Sequence, residues 1–208
     1  MNDSFIEKIK ARFINPLPGR VIQSKMAPLV PREFVPDPDA RIACVLALLY
    51  PKNNDWHIAL IERMSSDNKN DRHSGQISFP GGQYEDSDGL LARAALRETE
   101  EEIGVISKDI TIIGQLSDMY IPVSNFLVHP FVGYMTYAPI FVPQLSEVKD
   151  ILEIPIPKLL DPSTIQSTDI KISTGMILKD VPYYSLNEHI VWGATAMMLS
   201  EFLEVVNV

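Results

Sequence analysis

The spacing of apolar residues changes several times along the chain. Phe5, Ile6, Ile9 and Phe13 recur at helical intervals and predict a short amphipathic helix over Ser4 to Phe13. Pro16, Pro18, Pro28, Pro31, Pro36 and Pro38 then interrupt residues 15–39, which predicts an extended, irregular lead-in. Ala40 to Tyr50 is almost continuously apolar and reads as a buried strand, with His57 to Glu62 as its hairpin partner across the turn Pro51 to Asp55. Ile110 to Leu116 and Val128 to Tyr137 predict further strands. The segment Leu152 to Ile156 leads into a short helix or turn at Lys158 to Leu160. Ile170 to Leu178 and Val181 to Leu186 suggest a final hairpin, and Trp192 to Val205 a closing helix. No internal repeat or low-complexity tract breaks this alternation, which is that of an α/β protein.

Between the predicted strands the helical period returns. Ala92, Leu96, Thr99 and Ile103 fall at i, i+4, i+7 and i+11 and form a mostly apolar stripe, which predicts that Glu98, Glu101 and Glu102 point roughly the other way. Like charges at these spacings repel by a few tenths of a kcal/mol per pair on an exposed helix, and by more where screening is poor. An isolated E-x-x-E-E is most simply a solvated acidic face. Here, however, the helix follows an extended Gln76-Ile77-Ser78-Phe79-Pro80, the pair Gly81-Gly82 and an acidic loop, and it ends at Gly104. Glycine lets the backbone approach a ligand closely, Ser87 or Asp88 can cap the helix, and Gly104 suits its C-terminus. Hard oxygen donors in this order suit Mg2+ or Mn2+.

Residues 81–105 resemble the signature of the Nudix family of pyrophosphohydrolases: a Gly, an acidic position, then R-E-U-x-E-E-x-G-U with U aliphatic. Arg97, Glu98, Glu101, Glu102, Gly104 and Val105 match it; Asp88 stands for the usual Glu, one extra residue precedes Arg97, and Thr99 replaces an aliphatic residue. The shorter, displaced Asp88 carboxylate is not counted among the expected ligands. The resemblance implies an α/β/α sandwich with a mixed central β-sheet, here residues 37–208 behind an N-terminal helix and proline-rich lead-in of 1–36. It implies metal ligation by Glu98, Glu101, Glu102 and the Gly81 carbonyl, with Arg97 holding the carboxylates in place. Glu147, in Leu145-Ser146-Glu147-Val148, resembles a position that contributes to metal binding or water activation. A homodimer is a further family expectation.

A narrower resemblance flanks the box. Leu60-Ile61-Glu62-Arg63, then Gly75-Gln76-Ile77-Ser78-Phe79-Pro80-Gly81-Gly82, and Trp192-Gly193-Ala194-Thr195-Ala196 near the C-terminus, resemble the coenzyme A pyrophosphatase branch, which shares the lengthened spacer and the Asp. The spacer from Arg63 to Gly75 is longer than the branch's usual pattern, and Met64 stands where Ser or Thr is usual. This branch implies cleavage of the coenzyme A diphosphate into adenosine 3′,5′-bisphosphate and 4′-phosphopantetheine products. Arg63, Gly75, Phe79 and His73 are its candidate substrate-binding residues. ADP-ribose, NADH or dinucleoside polyphosphates are the alternative substrates, and a nucleotide-sensing module without turnover is the competing class.

Composition narrows the setting. Of 208 residues, 46% are hydrophobic and 22% charged, which fits a packed domain rather than a disordered chain. The net charge of −9 weighs against a nucleic-acid partner. A small diphosphate remains compatible, because cations such as Arg41, Arg63, Lys69 and Arg72 can meet it locally. No run reaches the roughly 20 apolar residues of a membrane span, and no signal-peptide pattern opens the chain, so a cytoplasmic location is expected. The lone Cys44 lies in an apolar run and reads as packing. His57, His73, His129 and His189 lack zinc-like spacing. Phe79 and Trp192 read first as packing residues and second as surfaces for a base.

Overall fold

We describe residues 3–29, 35–65, 74–172 and 174–207 in a computed structural model of the chain. Strand β1 (Arg41–Lys52) runs through the middle of the main sheet and turns into β2 (Asp55–Arg63). Asn53 and Asn54 take φ of 51° and 69° there, the left-handed pair of a tight hairpin that asparagine tolerates well. Two short strands, β3 (Ile77–Ser78) and β4 (Gly81–Gln83), precede helix α3 (Leu91–Ile103); then follow β5 (Thr111–Gln115), β6 (Met119–Ile121), β7 (Phe126–Tyr134) and β8 (Val148–Pro155). Among the described residues the sheet has eight strands on the path β3-β2-β1-β7-β5, with β4, β6 and β8 pairing β1, β7 and β2. β1 and β7 are parallel and the other pairs antiparallel, so the sheet is mixed.

β1 changes partner along its length. Leu49 to Lys52 pair with β2, whereas Ala43 to Val45 pair with Gln83 to Gly81 of β4. The Leu46 N–H donates to Pro80 O at 2.9 Å, tying the start of the glycine turn to the centre of the sheet. The strand's side chains alternate between two cores. Leu46, Leu48 and Tyr50 pack with Ala94, Ala95 and Ile103 of α3. Ala47 and Leu49 pack instead with helix α1 (Asp3–Arg12) and the C-terminal helix α5 (Gly193–Val206). Helices thus cover both faces, as the α/β/α expectation has it.

Two regions differ from the local pattern. Within the proline-rich lead-in lie a short helix, α2 (Arg20–Gln23), and a 3-10 turn, Ser24–Met26. Their cause is distant in sequence: Glu201 of α5 is fully buried and accepts from Gly19 N at 3.0 Å, Gln23 Nε2 at 2.8 Å and Ser117 Oγ at 2.7 Å. Near the C-terminus, α4 (Ile156–Leu159) follows β8, and the expected hairpin is a three-stranded antiparallel sheet. It comprises β9 (Ile165–Lys171), β10 (Ile177–Leu186) and β11 (His189–Trp192). β10 continues through Lys179 and Asp180, which a bulge between Leu178 and Val181 accommodates.

Gln23→Ala removes a donor from a buried carboxylate, at an expected cost of about 1–3 kcal/mol. In a chain of this size that lowers the melting temperature by roughly 3–10 °C. An unchanged melting temperature would show that α2 is not held through Glu201.

Candidate active site

Helix α3 begins after a 3-10 turn, Asp86–Asp88, and its N-cap residue Leu90 supplies no side-chain cap. Neither expected cap, Ser87 or Asp88, serves here, and Asp88 is engaged elsewhere. Its carboxylate accepts from Glu85 N at 2.9 Å and, through both oxygens, from Arg97 Nε at 2.7 Å and Nη2 at 3.0 Å. That guanidinium also donates from Nη1 to Glu98 at 2.8 Å and Glu101 at 3.0 Å, and from Nη2 to Gln83 O at 3.2 Å. The planar fork of arginine makes such multiple engagement favourable. Arg97 therefore fixes two glutamates relative to the turn that precedes the helix. The other end closes at Gly104, whose φ of 72° is left-handed and whose N–H donates to Glu100 O at 2.9 Å.

The three glutamates do not share one exposed face. Glu101 is exposed and Glu98 half-buried, but Glu102 is only 2% exposed, on the same side as Ala95, Thr99 and Ile103. The expectation that Glu102 points away from the core is thus corrected, as is the stripe itself, in which Ala92 and Leu96 are only half-buried. The inward turn of Glu102 has a polar cause: Gly81 N–H donates to its Oε2 at 2.7 Å, and Arg63 Nη1 lies 3.5 Å from its Oε1.

The glycine pair makes this proximity sterically available. Gly81 has φ of 146°, and a Cβ there would stand 2.3 Å from Cys44 O. A Cβ on Gly82 would stand 2.3 Å from Glu98 Oε2. Burial pushes the Glu98 carboxyl above its ordinary range, with Glu101 and Glu147 adding to the rise while Arg97 opposes it. Burial likewise pushes Glu102 up to about 7, against the Gly81 N–H and Arg63, with Glu98 and Glu147 again raising it. Glu98, Glu102 and Glu147 thus form a repelling set beside two arginines. Among the described residues no three carboxylate, imidazole or thiol side chains converge as a closed ligand cage. The oxygen-only donor set still fits a hard divalent cation that keeps several waters.

The remaining candidates divide. Arg63, the last residue of β2, faces the acidic helix, and Met64 N–H donates to Glu147 O at 2.7 Å, holding the Glu147 loop beside it. Gly75, with φ of 69°, lies just before β3. Phe79 is 1% exposed within the core on the α5 side, so its ring does not face substrate; this corrects the expectation, and burial of the large ring anchors the turn instead. His73, with Lys69 and Arg72, lies outside the described residues. Arg41 stacks over the Phe126 ring at 4.0 Å and donates to Ser124 O at 3.0 Å. Sequence reading missed what Asp88 does. An acid nine residues before Arg97 gives no periodic signal, because an irregular turn sets the distance.

A further bond joins two distant motifs. Thr195 Oγ1, in the Trp192-Gly193-Ala194-Thr195 element, donates to Ile77 O at 2.9 Å in a buried position. The strand leading into the glycine turn is therefore seated on the start of α5.

A model of the NUDIX domain matches residues 40–156, more than half of the chain. The uncharacterized Nudix hydrolase NudL of Photorhabdus laumondii is 30% identical over 136 residues, covering 65% of this chain and 71% of that relative. Its namesake in Yersinia enterocolitica is 31% identical over 137 residues, covering 66% and 69%. A MutT/nudix family protein from Enterococcus faecalis shares the fold, with a TM-score of 0.53 and 15% identity over 100% of this chain and 76% of that one. The chain belongs to the Nudix family and is a hydrolase of nucleoside diphosphate derivatives.

The Asp88 carboxyl is held below its ordinary 3.8, chiefly by its hydrogen bonds from Arg97. A depressed folded-state pKa stabilises above the unfolded value and loses that contribution as pH falls through the folded one. Asp88→Asn is therefore expected to be less stable than the parent at pH 7, with the difference shrinking below about pH 4. Denaturant titrations across that range measure it; a gap that persists at low pH would assign the loss to shape rather than charge.

Proposed function

We propose that this chain hydrolyses the diphosphate of coenzyme A or its derivatives, using Mg2+ or Mn2+ held by Glu98, Glu101, Glu102 and the Gly81 carbonyl. The observation that carries the reading is the buried bond between Thr195 Oγ1 and Ile77 O. It joins two of the three segments by which the sequence resembles the coenzyme A branch, 118 residues apart, at the strand that enters the glycine turn. The residues outside the signature thereby act on the same turn as the residues inside it.

A bound divalent cation would neutralise diphosphate charge and make a coordinated water a better nucleophile. The side chains of the chain itself have separable tasks. Arg97 keeps Glu98 and Glu101 in place and is itself fixed by Asp88. Arg63, one third exposed and beside Glu102, offers a guanidinium to a phosphate oxygen. Glu147, exposed and outside the proposed ligand set, is a carboxylate available to accept a proton from the attacking water. Because Glu102 is sealed from solvent, its charge acts on the site with little screening.

Coenzyme A, acetyl-coenzyme A, ADP-ribose and NADH, each incubated with the protein and Mg2+ or Mn2+ and analysed by mass spectrometry, test the substrate. Adenosine 3′,5′-bisphosphate together with a 4′-phosphopantetheine product is the expected result. Cleavage of ADP-ribose or NADH with coenzyme A left intact would refute the substrate and keep the reaction class.

Glu102→Gln is expected to lower kcat by about a hundredfold or more, since even outer partners of metal ligands cost 10–100-fold. Its metal-free melting temperature should equal or exceed the parent's, because an amide is cheaper to bury than a carboxylate. Near-normal turnover in a folded variant would contradict ligation by Glu102.

A further inference from the structure

Beside the edge strand β3 lies an open groove of about 480 Å3, formed between the Gly75–Ile77 segment and the C-terminal sheet. Ile77, Ile170, Lys171, His189 and Trp192 contribute to its walls. That sheet lies beyond residues 40–156, so this wall is an addition to the matched domain.

The groove is coupled to the acidic helix by two consecutive residues of β2. Arg63 N–H donates to Gln76 O at 3.0 Å, while the Arg63 guanidinium reaches Glu102 at 3.5 Å. Its neighbour Glu62 lies 3.9 Å from His189 Nδ1 and accepts from Lys149 at 2.7 Å. Consecutive strand residues face opposite sides of a sheet. The groove and the acidic helix therefore lie toward opposite faces of the sheet and are joined at the β3 edge through Glu62 and Arg63. A nucleotide lying around that edge would have its phosphates on one side and its base on the other.

The wall chemistry discriminates between the two ends of a coenzyme A molecule. Trp192 and Ile170, both half-buried, offer flat and aliphatic surface, which suits a purine. Lys171 is exposed and makes no ion pair among the described residues, and His189 adds a ring nitrogen. The nearby Asp169 is already bonded to Lys179, and Glu188 is exposed at the β10–β11 turn. Pantetheine is uncharged and would leave Lys171 without a counter-charge, whereas a phosphate monoester would supply one.

We propose that this groove binds the nucleoside end of the substrate, with the Trp192 indole against the purine and Lys171 on the 3′-phosphate. The assignment rests on the coenzyme A reading, and it places selectivity for the 3′-phosphate in the C-terminal sheet rather than in the signature helix.

Calorimetric binding of adenosine 3′,5′-bisphosphate and of AMP to the full chain, in EDTA, tests the groove without turnover. The parent should bind the bisphosphate about tenfold more tightly, as one charge-assisted contact would give. Lys171→Ala should erase that difference and Lys171→Arg retain it. In turnover, Lys171→Ala should raise KM for coenzyme A with little change in kcat, and leave 3′-dephospho-coenzyme A unaffected. Equal binding of the two nucleotides by the parent, no measurable binding of the bisphosphate, or a preference that survives Lys171→Ala would overturn the groove. A Lys171-dependent preference in a protein that cleaves ADP-ribose but not coenzyme A would overturn the proposed substrate and leave the groove standing.

Discussion

The site is organised around the cost of keeping Glu102 charged where water barely reaches it. A carboxylate removed from water needs donors or opposite charge; here it has the Gly81 N–H at 2.7 Å and Arg63 at 3.5 Å. Glu98 and Glu147 work against it. Gly81 can serve only because it lacks a Cβ, which would meet the backbone of β1 at 2.3 Å. The position of Gly81 depends in turn on the change of partner along β1, which pairs with β4 at Val45 and with β2 from Leu49 onward. A sheet discontinuity, a backbone angle and an unfavourable charge thus form one chain of dependence. This is local instability maintained at a functional site by the stability of what surrounds it.

Arg97 has a different part from Arg63, although both stand among the same acids. Arg97 spends its donors on Asp88, Glu98, Glu101 and Gln83 O, all within the turn and helix. Among the described residues Arg63 makes one long ion contact, and it is one third exposed. One guanidinium is saturated by the protein and the other has capacity left for an anion. Such a division lets the scaffold stay fixed while a charged ligand comes and goes.

Much of this is legible in the sequence. β1, β2, α1, α3 and α5 carry long, strongly periodic or continuous apolar patterns, and their observed bounds lie within a few residues of the expected ones. The acidic helix and its glycine flanks were legible because residue type and spacing are themselves the signal. What escaped notice depends on distant contacts. α2 forms where Glu201 collects donors from residues 19–23, and nothing local announces that. The inward turn of Glu102 follows from a backbone N–H across the sheet rather than from the 3.6-residue period. Phe79 lies in a motif shared by function and packing alike, and only its burial shows which role its ring has.

The buried Glu201 also carries a message about time. Its donors, Gly19, Gln23 and Ser117, precede the carboxylate by 182, 178 and 84 residues, so they are synthesised long before it. A chain made from its N-terminus forward therefore holds residues 19–23 in waiting until α5 has been made. The making of α5, rather than the completion of the central sheet, is the step at which residues 19–23 and that helix can close on each other.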